Sequence, residues 1–159
     1  MQPLVIILMG SRSDMDHAAR ITEALGEYDL TAEIHIGSAH KTPAHVLKLL
    51  EKYEADPRPK VYITIAGRSN ALSGFVDAQV NAPVIACPPI SSAFAGADIY
   101  SSLRMPSGVA PAVVLEPSGA ALLTAKILGV HSPEIREKVA NKRREYIEKI
   151  LQDNNEVGG

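Results

Sequence analysis

The sequence predicts an α/β domain: a three-layer, doubly wound parallel sheet of about five strands with helices on both faces. Three observations lead there. Short apolar runs of strand length recur along the chain, the first of them is continuous rather than alternating, and helix-like patterns separate them. Continuous apolarity marks a strand covered on both faces, as parallel sheets require. Strand–helix alternation supplies the long crossovers that join parallel neighbours.

The first run, Leu4-Val5-Ile6-Ile7-Leu8-Met9, ends at Gly10, and later runs cover Ala32–Ile36, Val61–Ile65, Pro83–Cys87 and Ala112–Leu115. After Asp14, the residues Ala18, Ile21, Ala24 and Leu25 recur at helical spacing. A second helix follows Thr42-Pro43, where Thr42 suits the N-cap and Pro43 the first helical position, and its apolar face is Val46, Leu47, Leu49, Leu50 and Tyr53. Asn70–Val80 and the Ala/Leu-rich Ser118–Leu128 predict two more helices. The last, about 133–151, carries an apolar stripe of Ile135, Val139, Tyr146 and Ile150 beside a solvated Lys142-Arg143-Arg144. It is expected to pack either on a neighbouring subunit or on its own domain. The polar tail 153–159 is expected to fray.

Composition bounds the function. The 159 residues predict a single domain, 1–159, and 16 Lys+Arg against 18 Asp+Glu leave a net charge of −2, without the basic footprint of a nucleic-acid binder. Aromatics are 4% with no Trp, so the core must be aliphatic. The lone Cys87 rules out an internal disulfide and a Cys-based metal site, and it reads as a small buried hydrophobe rather than a reactive thiolate. Neither a membrane span nor a signal-peptide pattern is present, so the expected location is the cytoplasm.

Open α/β sheets bind ligands beyond the carboxyl ends of their strands, and there the polar clusters fall. Gly10-Ser11-Arg12-Ser13-Asp14 follows the first strand, Gly37-Ser38-Ala39-His40-Lys41-Thr42 the second and Ala66-Gly67-Arg68-Ser69-Asn70 the third. The first loop reads either as a turn capped by Ser13 or Asp14, or as a phosphate cradle with Ser11 and Ser13 hydroxyls, Arg12 charge and Asp14 facing ribose hydroxyls. It is neither a Walker A nor a Gly-x-Gly-x-x-Gly loop. His40 is the best general acid/base candidate, because an imidazole on a polar loop titrates near neutrality. His17 and His45 on helices, His35 in a strand and His131 in a loop read as packed or solvated. Two further segments, Pro88–Ser92 and Ser101–Gly108, read as connecting loops able to complete a rim.

Taken together, Gly10–Asp14, Ser38-Ala39-His40-Lys41, Ala66–Asn70, Cys87-Pro88-Pro89 and Ser101–Gly108 resemble the phosphoribosylaminoimidazole carboxylase family of purine biosynthesis, in order from about Leu4 to Leu128. The resemblance implies a flavodoxin-like fold and two possible branches. A mutase branch moves a carboxylate from a ring-attached amino group to a ring carbon. Its motifs are Ser-Ala-His-Arg and a Gly-rich loop with a second His. The other branch uses carbon dioxide directly, and Lys41, a third loop without His, Cys87-Pro88-Pro89 and Ser102-Leu103-Arg104 resemble that one.

The implied reaction joins aminoimidazole ribonucleotide and carbon dioxide without ATP, biotin, metal or other cofactor. By resemblance His40 is catalytic, Ser11, Ser13, Ser38 and Lys41 hold phosphate, and Asp14 holds ribose. Gly67, Arg68, Ser69 and Asn70 line the part of the pocket that differs between branches, with a subunit contact as the alternative role for Arg68. A homo-octamer with sites at subunit junctions, or a tetramer, is implied, without the synthetase domain fused in animal relatives. Two other functions stay open: the mutase, and a non-catalytic nucleotide- or flavin-binding module on the same sheet.

Overall fold

A computed structural model describes residues 2–158. Five parallel strands, β1 (Leu4–Met9), β2 (Ala32–Ile36), β3 (Lys60–Ile65), β4 (Val84–Ala86) and β5 (Ala112–Val113), lie in the order β2-β1-β3-β4-β5. The chain leaves β1 toward β2 and then crosses back to β3, so the direction of winding reverses beside β1. That is where α/β sheets open a crevice. Between the strands run α1 (Met15–Gly26), α2 (Pro43–Glu54), α3 (Ala71–Asp77), α4 (Tyr100–Leu103) and α5 (Pro117–Gly129), and α6 (Pro133–Val157) ends the chain.

Every residue of β1 is buried, which explains its unbroken apolar run. Its side chains alternate between two cores. Val5, Ile7 and Met9 join Ile63 and Ile65 against Ile21 and Leu25 of α1 and Ala120, Ala121 and Leu128 of α5. Leu4, Ile6 and Leu8 join Tyr62 against Val46, Leu50 and Tyr53 of α2 and Leu72 and Val76 of α3. Small alanines on α5 let that helix lie close to the sheet. The aliphatic core anticipated from composition is thus the middle of a three-layer sandwich.

Several boundaries move. β4 and β5 are shorter than their apolar runs. The helix expected over Asn70–Val80 spans only Ala71–Asp77, because Asn70 caps its start and a tight turn ends it, with the Gln79 amide donating to Val76 O at 2.9 Å. Ser101–Gly108 is not wholly a loop, since α4 occupies its start. α6 continues to Val157, past its expected end at 151 and through most of the 153–159 tail expected to fray, of which Gly159 lies outside the described residues. Its tail is polar but holds no helix breaker before Gly158, and Gln152 donates to Glu156 one turn on at 3.0 Å.

The first half of α6 packs on its own domain. Ile135 and Val139 join the core, Lys138 pairs with Asp29 at 2.5 Å and Lys142 with Glu27 at 3.0 Å. Tyr146 and Ile150, the other half of the stripe, remain exposed. Among the described residues no helix is long and apolar enough to cross a membrane.

Candidate active site

Three loops from adjacent strands converge on one cleft of about 590 Å³, within the usual range for small-molecule sites. The loop after β1 is tied to the sheet by the Gly10 amide, which donates to Ile65 O at 2.9 Å. Ser11 then extends, and Arg12–Asp14 form a single 3-10 turn that leads into α1. The hydroxyls of Ser11 and Ser13 meet at 2.5 Å, so the loop holds two polar groups together on the cleft wall. Asp14 occupies the cap position of α1 without a side-chain cap bond, leaving its carboxylate to face the cleft. Partial burial holds this carboxyl above the ordinary carboxylate range, against a smaller opposing pull from Ser11. Arg12 does not line the cleft.

The second loop begins where Gly37 N–H donates to Met9 O at 2.9 Å. A Cβ on Gly37 would sit 2.7 Å from Cγ2 of buried Val46, so only glycine lets β2 end this close to α2. Thr42 is the N-cap residue of α2 as expected, but its hydroxyl serves the preceding turn instead. It accepts the Ser38 amide at 2.9 Å and faces the Ser38 carbonyl at 3.3 Å. Ser38 Oγ accepts the Lys41 amide at 3.2 Å. This closed turn leaves His40 and Lys41 exposed on the cleft rim.

Gly67, Arg68 and Ser69 of the third loop also line the cleft. Arg68 has φ +61°, a left-handed conformation that costs a non-glycine residue about 1 kcal/mol or more. Asn70 does not line the cleft as the sequence suggested. It is 2% exposed, and its side-chain oxygen accepts the Ser73 amide at 3.2 Å, capping α3 from behind the wall. Pro89, Ile90, Ser91 and Ser92 complete the rim, and Ser101–Gly108 contributes nothing to it.

Nine of the eleven residues singled out from these loops, Arg12 and Asn70 being the exceptions, therefore share one cleft: His40, Ser11, Ser13, Asp14, Ser38, Lys41, Gly67, Arg68 and Ser69. Two cations and four hydroxyls suit an anionic ligand, Asp14 suits its neutral hydroxyls, and His40 can exchange a proton with whatever lies beside it. The remaining histidines lie elsewhere. His17 is buried against Cys87 Sγ at 3.3 Å, and His35 meets Tyr53 Oη at 2.5 Å. Cys87 is fully buried and its thiol is pushed up to about 12, as befits a core residue.

Comparison with known proteins gives one consistent picture. Residues 4–149 match the family model described as AIR carboxylase. The chain is 57% identical to phosphoribosylaminoimidazole carboxylase from Treponema denticola, over 99% of both chains. It is 38% identical to the bifunctional phosphoribosylaminoimidazole carboxylase/phosphoribosylaminoimidazole succinocarboxamide synthetase of Rattus norvegicus, over 90% of this chain and 34% of the rat protein. The crystal structure of Treponema denticola PurE superposes with a TM-score of 0.96 at 57% identity, covering 98% of each chain.

Proposed function

The chain belongs to the AIR carboxylase family, and on that premise we propose that it joins carbon dioxide directly to C4 of 5-aminoimidazole ribonucleotide, without ATP, giving the 4-carboxy product. The observation that carries this reading is the third loop. It presents Gly67, Arg68 and Ser69 to the cleft and has no histidine facing His40. A carboxylate that moves from nitrogen to carbon within one substrate calls for the mutase pattern, which this loop lacks. The name of the rat relative, a carboxylase fused to a synthetase, supports the same branch.

Ser11, Ser13, Ser38 and Lys41 hold the ribonucleotide phosphate, where hydroxyl and ammonium donors match its oxygens. Asp14 accepts from the ribose hydroxyls. With the nucleotide anchored by these groups, the aminoimidazole ring reaches toward His40 and the third loop. The exocyclic amino group pushes electron density to C4, which attacks the carbon of carbon dioxide. One C–C bond forms, one C–O π pair moves to oxygen, and C4 briefly bears both hydrogen and carboxylate. A ring nitrogen of His40 takes the C4 proton, and the C–H electron pair restores the aromatic ring. The same histidine returns the proton in the reverse direction. Arg68 and Ser69, which line the same cleft, supply donors to the incoming carbon dioxide and then to the carboxylate.

His40→Asn tests the mechanism. It keeps a polar side chain of similar size but cannot accept the C4 proton. The variant is expected to fold and bind aminoimidazole ribonucleotide with little change while turnover falls about 10²–10⁴-fold. Near-normal turnover would remove His40 from the reaction.

A further inference from the structure

Four of the six buried polar residues, Thr64, Asn70, Ser73 and Ser102, form one connected network, and none of them lines the cleft. The donors and acceptors fix its direction. Ser73 donates its hydroxyl hydrogen to Asn70 Oδ1 at 2.9 Å, so Thr64, 2.8 Å from Ser73 Oγ, must donate to it. Asn70 Oδ1 also takes the Ser73 amide, and Asn70 Nδ2 donates onward to Ser102 Oγ at 2.8 Å. The chain of hydrogen bonds thus runs from Thr64, near the carboxyl end of β3, to α4. Every buried side-chain polar atom among the described residues has a partner, so the network is complete.

A second set of bonds comes from the segment before and within α4. Ser101 Oγ accepts the Asn70 amide at 2.9 Å and donates to Asp98 O at 2.7 Å. The carboxylate of Asp98 accepts the Arg68 amide at 3.0 Å. Arg68 is the residue held at positive φ, so the carboxylate grips the loop at its strained point. These partners lie 30–32 residues further along the chain, and they fasten both ends of the Arg68–Asn70 stretch.

We infer that Asp98, Ser101 and Ser102 are positioning residues that hold the Gly67–Ser69 wall in the geometry the reaction needs. A buried polar network that is fully satisfied rigidifies what it contacts, and a wall displaced by about 1 Å can cost roughly 100-fold in rate. The inference rests on the proposed carboxylation for its kinetic readout, but its structural half does not.

The experiment uses the full chain with Asp98→Ala, Asp98→Asn and Ser101→Ala. Amide hydrogen exchange at Arg68 and Asn70 and steady-state kinetics with aminoimidazole ribonucleotide and carbon dioxide are measured on each. Asp98→Ala is expected to speed exchange at Arg68 and to lower kcat roughly 10- to 100-fold. KM for the nucleotide should change little, because the phosphate-holding loops are untouched. Asp98→Asn keeps an oxygen acceptor and should restore most of both readouts. Ser101→Ala should speed exchange at Asn70 and lower kcat in the same way, and it reads the clamp even if Asp98→Ala fails to fold. Unchanged exchange and kcat, equal losses in Asp98→Asn and Asp98→Ala, or a loss confined to thermal stability would each overturn the clamp. Absence of carboxylation by the parent protein overturns the proposed function instead, and hydrogen exchange then decides the clamp alone.

Discussion

At the scale of single residues, Asp14 shows how a site residue works against the fold that holds it. Burial raises its carboxyl pKa, so the ionised form is less favourable in the folded chain than in the unfolded one. The sign of the pH dependence follows. A raised carboxyl pKa contributes stability that is present at low pH and is lost as pH rises through the folded value. Asp14→Asn has no charge to desolvate and should melt above the parent at pH 7. That advantage should vanish below about pH 4, where the parent carboxyl is neutral in both states. The same variant should weaken nucleotide binding roughly tenfold or more, through loss of a charged acceptor. Calorimetry at the two pH values and a binding titration check both halves. A melting difference that ignores pH would deny Asp14 its desolvation penalty.

His40 and Asn70 mark what was and was not legible at this scale. His40 sits on a polar loop at a strand's carboxyl end, a placement visible from apolar runs and spacing alone. Asn70 belongs to an equally polar loop, yet it turns inward because a helix cap and Ser102 wait behind it. No local pattern announces a partner so far along the chain.

Among the elements, the junction of β2 and α2 leaves no room for a side chain at Gly37. Gly37 brings the strand end against Val46, and the turn through Ser38 and Thr42 then raises His40 and Lys41 to the rim. Gly37→Ala should destabilise the protein by about 1–3 kcal/mol, because Val46 is β-branched, buried and unable to swing away. Combined with Val46→Ala, the loss should be smaller than the sum of the two single changes, since the clash is then gone. Urea denaturation of the four proteins gives the coupling. Strict additivity would mean that Val46 is not what excludes a side chain at position 37.

β1 is readable because a strand covered on both faces must be apolar throughout, as all of β1 is, whereas the edge strand β2 carries Glu33 and His35 and is only partly buried. The helix ends are less readable. α6 outruns its apolar stripe because nothing in its polar tail breaks a helix before Gly158. α4 leaves no mark in the sequence pattern, being four residues long and too short for periodicity to register.

For the molecule as a whole, the order β2-β1-β3-β4-β5 places three polar loops around one reversal point. A sheet of this kind needs no second domain to build a cleft, since the strand ends supply its floor and the loops its walls. The family's chemistry fits that economy. Under the proposed function, a ribonucleotide is anchored at one end of the cleft and carbon dioxide meets the ring at the other, between His40 and the third loop.

The most direct test supplies the purified protein, without ATP, either aminoimidazole ribonucleotide with ¹³C-labelled bicarbonate as the carbon dioxide source, or the N-carboxylated isomer alone. Direct carboxylation predicts labelled 4-carboxy product from the first mixture and no productive turnover of the second. Efficient conversion of the N-carboxylated isomer, with no product from aminoimidazole ribonucleotide and carbon dioxide, would contradict it.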